Sequence, residues 1–164
     1  SNEIYKIKLR ENLDFIPIEL YLSPNILKEV PAFLRKLKKN YDYIIIDSLP
    51  ALKVDNIFLE NSDKIIIPAH GDKMTLQGII SIIKEHREKI HSIIFNKYLN
   101  TKVNREYYKE IKEICKNSGI YISKPIKNNA FIAELIEKGK TIWESRSKKI
   151  IETQEIFKNI VRRF

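Results

Sequence analysis

Glycine is scarce in this chain, with four in 164 residues, and no two are neighbours. Within these residues that excludes a glycine-rich loop, which holds phosphates with consecutive backbone N–H groups at a helix N-terminus. Cysteine is rarer still. Cys115 stands alone, so no internal disulfide framework can form, and a reducing compartment is expected. It falls in an amphipathic helical stretch and reads as a small core residue. No apolar run approaches bilayer length, and no signal-peptide pattern opens the chain. His70 has no second His or Cys at metal-ligand spacing and reads as a turn histidine, while His86 and His91 read as surface or helix-end residues. Internal repeats, low-complexity segments and linkers are lacking too, and the length suits a single domain over 1–164.

What is present is a globular composition, 43% hydrophobic and 31% charged, with a formal charge of +9. Such an excess points to a polyanionic partner, although Ile, Lys and Asn are abundant throughout, as in AT-rich genomes. Strand-like runs alternate with helical patterns. "NLDFIPIEL" (12–20) precedes a helix in which Ser23 is the N-cap and Pro24 the first residue. There Ile26, Leu27, Val30, Phe33, Leu34 and Leu37 share a face, and Pro31 is expected to kink or restart the helix. "YDYIIID" (41–47) has no alternating polar face and predicts a strand buried on both sides. Further strands are expected at 63–70, 91–99 and 120–127, and helices at 74–90, 104–117, 129–138 and 147–163, with Gly119 and Gly139 as stops. This alternation predicts an α/β fold of βαβ units, Rossmann-like, with a mainly parallel sheet between helical layers. In such sheets ligands bind outside the carboxyl ends of the strands. Asp47 sits at such an end, either as a polar stop to a strand or as a ligand-side carboxylate.

The ordered stretches "YDYIIIDSLPAL", "NSDKIIIPAHGDKMTLQGI", "IIFNKYLNTKVNREYYKEIKE", "IKNNAFIAELIEKGKTIWE" and "IFKNIVRRF" resemble the ParA and MinD group of deviant-Walker ATPases. They are most similar to the Soj-like partition proteins. The resemblance covers nearly the whole chain and corresponds to the later two-thirds of such a protein, without its Walker A segment. Asp47 and Pro50 match a Walker B stretch of the form D-T-P-P-S, while Ser48, Leu49 and Ala51 depart from it. Ser62, Asp63, Pro68, Leu76 and Gly78 match a second family stretch that is mostly structural.

The resemblance implies a partial P-loop NTPase fold and an ATPase of plasmid or chromosome partitioning. Asp47 would be the catalytic carboxylate and would hold Mg²⁺ through water, because a hard cation keeps much of its hydration shell. Asn96 and the loop Pro125, Ile126, Lys127 and Asn129 would touch the nucleotide. An amide can read an adenine edge, though strand-end asparagines also simply form turns. In the family's I-P-R-N segment a proline stands where Lys127 does here. Non-specific DNA contacts would fall to Lys97, Lys102, Arg105, Lys127, Lys140, Lys148, Lys149, Lys158, Arg162 and Arg163, since phosphate contacts need charge more than geometry. Residues 140–164 hold seven basic against three acidic side chains, a net +4.

ATP and Mg²⁺ are the cofactors implied for an intact parent, with none for this chain alone, which is expected to be inactive as an ATPase. The implied partners are DNA, a ParB-like protein and a second copy, in a cytoplasmic, nucleoid-associated setting without stable membrane association. One alternative is a P-loop-less relative that only binds protein. Another is a MinD-type regulator whose basic, amphipathic last helix lies on a membrane.

Overall fold

The computed structural model describes residues 5–17, 24–47 and 54–164. Contacts gather in two compact units, Ser1–Asn61 and Ser62–Phe164, where the length suggested one domain.

In the first unit β1 (Ile7–Arg10) and β2 (Leu13–Phe15) form an antiparallel hairpin, with Ile7 opposite Phe15 and an irregularity between Lys8 and Arg10. Helix α1 (Pro24–Leu37) begins at the proline, as its fixed φ favours, and runs through Pro31 as one element. Ser23 lies outside the described residues. Val30, Leu34 and Leu37 are buried with Phe58 of α2 (Val54–Asn61), a helix not foreseen from the sequence.

The stretch 41–47 departs from its prediction. It forms no strand, and no described segment pairs with it. Ile44 and Ile46 pack on the α1 core, while Tyr43 and Ile45 are 78% and 90% exposed. A strand buried on both sides needs neighbours along both edges and cover on both faces. This stretch has cover on one face, so its apolar run alternates inward and outward.

The second unit is built of βαβ crossovers. β3 (Ile65–Ala69), α3 (Lys73–His86), β4 (Ile90–Phe95), α4 (Lys102–Ile114) and β5 (Tyr121–Ile122) give a parallel sheet in the order β3-β4-β5. Ile67 pairs with Ile93 and Ile93 with Ile122, so β4 is central. Among the described strands β3 stands at the end of this order, which suits Pro68, a residue with no N–H to donate to the ladder. Helices cover both faces. Phe95 meets Tyr108 of α4 edge-on at 5.4 Å, whereas its neighbour Ile94, pointing the other way, joins Ile126, Ile156 and Ile160 beneath α6 (Ile151–Val161). The second unit is therefore a Rossmann-like α/β arrangement. Between β5 and α6 lies α5 (Ala130–Glu137), closed by Gly139 at φ +62°, with Lys140 N–H donating to Leu135 O at 2.8 Å. That is a Schellman-type stop. Helix ends differ from prediction by a few residues. α3 stops at His86 before a 3₁₀ turn at Arg87–Lys89, and α6 is preceded by another at Lys148–Ile150.

Candidate functional site

The carboxyl ends of β3 and β4, with the segment that follows β5, converge on one edge of the second unit. β4 leads into Asn96, half-buried, whose Oδ1 accepts from Lys97 N–H at 2.8 Å while Lys97 turns left-handed at φ +51°. The Asn96 amide nitrogen has no partner among the described residues, so its donor half is open. Asn96 N–H donates to Ala69 O at 2.8 Å, which ties the end of β4 to the end of β3. The chain then zips onto the segment after β5. Tyr98 N–H donates to Ile126 O at 2.9 Å, and Asn128 N–H donates to Tyr98 O at 3.0 Å. Asn96 and residues 125–129 are thus brought together by backbone bonds beyond the regular strands.

Within that loop the side chains have separate roles. Ile126 is buried under α6, so only its backbone faces the edge. Lys127 pairs with Glu152 at 2.9 Å. Asn129 caps α5 by accepting from Phe131 N–H at 3.0 Å, and its amide donates to Lys149 O at 2.9 Å. Beneath the loop, Ser123 is fully buried. Its hydroxyl accepts from Phe95 N–H and donates to Lys124 O, while Tyr108 donates to Ser123 O at 3.0 Å. Burial pushes the Tyr108 phenol above its ordinary value, with the nearby Tyr121 and Tyr98 adding to the shift.

The turn after β3 holds residues that sequence reasoning did not single out. Gly71 faces Asn104 so closely that a Cβ would lie 2.4 Å from Nδ2. Asn104 Oδ1 in turn accepts from Leu99 N–H at 2.9 Å, bracing the loop after β4. Asp72 caps α3, taking Thr75 N–H at 2.8 Å and the Thr75 hydroxyl at 2.9 Å, and these bonds hold its carboxyl below the usual aspartate range. The Gly-Asp pair ahead of a helical pattern was the available signal. His70 Nδ1 lies 3.3 Å from Asn96 O, the local bond of a turn histidine.

Asp47 belongs to the first unit, where it is exposed at the end of 41–47, and Ser48 to Pro50 lie outside the described residues. In the same unit Asp14 accepts from Tyr41 at 2.6 Å and from Lys6 at 2.8 Å, and Lys6 above all holds its carboxyl below the usual range. No group of three or more described His, Cys, Asp or Glu side chains could hold a metal.

The basic residues expected at DNA are spread over this edge and the C-terminal segment. Lys102 lies 3.8 Å from Glu106, and Arg105 donates to both the backbone and side-chain oxygens of Asn100. Lys158 pairs with Glu155 at 2.6 Å, Lys149 lies 5.5 Å from the Phe131 ring centre, and Arg163 covers Tyr121 at 4.2 Å. Exposed pairs of this kind are worth little and yield readily to a phosphate. Lys97, Lys140, Lys148 and Arg162 are exposed, with no ion-pair partner among the described residues.

Residues 4–104 match the AAA-domain family that contains the ParA-like ATPases. The chain belongs to this ParA/Soj-like family. It is 33% identical over 135 residues to an uncharacterized protein of Methanocaldococcus jannaschii, a match covering 68% of this chain and 51% of the relative. It is 36% identical over 109 residues to the sporulation initiation inhibitor protein Soj of Bacillus subtilis, covering 60% and 41%. The chain thus spans about half the length of these curated relatives or less. The Soj-like chain contains the crossovers and carboxyl edge of the family's fold. Its four glycines (Gly71, Gly78, Gly119 and Gly139) are scattered and form no phosphate loop. Among the described residues no helix is long and apolar enough to cross a membrane.

Proposed function

We propose that this chain serves ATP-dependent partitioning of plasmid or chromosomal DNA as a ParA-like protein. The carrying observation is the likeness to Soj together with the backbone bonds that join Asn96–Tyr98 to residues 125–129 at the ligand edge. In an intact ParA-like parent, ATP and Mg²⁺ drive homodimerisation, the dimer binds DNA without sequence preference, and a ParB-like protein stimulates hydrolysis. That activity belongs on the nucleoid in the cytoplasm. Asp47 is the proposed carboxylate for a water-bridged Mg²⁺. Asn96 offers its open donor to the base, and the backbone of 125–129 lines the nucleoside side. The 164 residues on their own hydrolyse no ATP, since the phosphate cradle is lacking from them, and no hydrolytic step is assigned to their side chains.

DNA binding is the decisive test. Fluorescence anisotropy with an arbitrary duplex should show affinity that falls steeply with salt, as counterion release requires. Reversing Lys148, Lys149, Arg162 and Arg163 to Glu should remove it. Retained binding in that variant, or salt-independent binding, would overturn the partition reading. Loss of anionic-liposome binding instead would move the protein toward membrane regulation.

A further inference from the structure

The opposite edge of the same sheet carries a cavity of about 540 Å³. It lies where all three strands begin: Lys64 precedes β3, Arg87 and Glu88 precede β4, and Gly119 precedes β5. Arg163, just past α6, closes one side. Three cations thus face one carboxylate across a single concavity. Lys64 and Arg87 have no carboxylate partner among the described residues. Arg163 lies over the Tyr121 ring with its guanidinium carbon 4.2 Å from the ring centre, and no carboxylate pairs with it among the described residues.

A neutral explanation covers part of this cluster. Cations complement the negative end of a helix, and Arg87 directly follows α3. Lys64 and Arg163 come from other elements and are not accounted for in that way. His91, also lining the cavity, supplies an independent observation. Its Nδ1 lies 3.1 Å from the Ser92 hydroxyl, and its ring stacks on Phe164 with centroids 4.0 Å apart. Its Nε2 is buried with no hydrogen-bond partner among the described residues. A buried polar nitrogen left in this way costs free energy and is uncommon in native proteins. Because this nitrogen is closed to solvent, a ligand oxygen reaches it only when the His91 ring or a neighbour moves on binding.

We propose that this amino-edge cavity binds a small phosphate-bearing anion, with Lys64, Arg87 and Arg163 as its charged contacts and His91 Nε2 as a further hydrogen-bond group. The volume lies in the small-ligand range. Duplex DNA is disfavoured because it is held by rows of cations on a broad surface, whereas these converge in a recess. The site is separate from the Asn96 edge, shares Arg163 with the proposed DNA contacts, and does not rest on the partition reading.

Inorganic pyrophosphate titrated into the full chain, followed by amide and imidazole NMR signals, tests the proposal. Saturable shifts are expected at Lys64, Arg87, Gly119 and His91, with Asn96 unmoved. Lys64→Ala combined with Arg87→Ala should weaken binding about tenfold or more, since each removes a charge-assisted hydrogen bond. Both positions are exposed, and the pair Lys64→Arg with Arg87→Lys should restore binding in a folded protein. Unsaturated shifts scattered over surface lysines would mean an adventitious ion only and would overturn the proposal, as would undiminished binding by the alanine variant. A DNA duplex that shifts these amides in place of pyrophosphate would reassign the cavity to nucleic acid. Because Arg163 stays intact here, a failure at this cavity is distinguishable from loss of DNA binding at Lys148, Lys149, Arg162 and Arg163.

Discussion

A methyl group at position 71 would lie 2.4 Å from Asn104 Nδ2 and 3.1 Å from Asn104 Cα, so backbone as well as side chain would have to move. Gly71→Ala should therefore destabilise the protein by about 1–3 kcal/mol, read from its urea midpoint. It should also loosen the Leu99 amide in hydrogen exchange, because Asn104 braces it. Asp72 makes a different kind of prediction. Losing its cap bonds in Asp72→Ala should cost about 1 kcal/mol at neutral pH. The folded carboxyl titrates below the aspartate reference of 3.8, so its contribution is full above that value and is lost as pH falls through the lower, folded one. The gap between parent and variant should shrink as pH falls below 3.8 and on through the lower, folded value. Such roles were only partly legible. Asn96 announced itself as an amide at a strand end. The use of its own oxygen on Lys97 N–H depends on a left-handed lysine that no sequence pattern marks.

Among the elements, α6 shows how far an apolar stripe can be read. Its sequence and flanks place Ile150, Ile151, Ile156, Ile160, Val161 and Phe164 in one apolar series, of which Ile150, Ile156 and Ile160 are buried while Ile151, Val161 and Phe164 are about half exposed or more. A helix on a sheet buries a face narrower than its whole apolar arc. Ile156→Ala should open a cavity beside Ile126 and cost about 2–5 kcal/mol, visible as a lower midpoint in thermal or urea unfolding. The strongly patterned β3, β4, α3 and α4 were readable because crossover units repeat both periodicities. The hairpin's β1 carries an Ile-Lys-Leu-Arg alternation that is present in the sequence, although only the second strand was anticipated. α2 is two turns long with a mixed face, and helices that short owe more to packing, here of Phe58 on α1, than to propensity.

For the whole molecule, alternation disclosed the fold class but not the division at residue 61. That division follows from where burial falls: α1 and α2 share one core, and α6 with β4 and β5 form another. The second unit alone, residues 62–164, should unfold cooperatively in urea with coincident far-UV and Tyr fluorescence transitions. Gradual, non-coincident loss would show that it depends on the rest of the chain. The partners of 41–47 were the least legible feature, because a run of isoleucines states that burial is favourable and not which surface provides it.

The placement of α6 also matters while the chain is being made. Ile94 is synthesised some sixty residues before Ile156 and Ile160, which cover its face of the sheet. At about 5–20 residues per second, that face stays open for seconds on the ribosome. Meanwhile α4, which follows β4 immediately, can already dock on the other side. The sheet is therefore completed one face at a time, and its second face stays apolar and uncovered until α6 has been made.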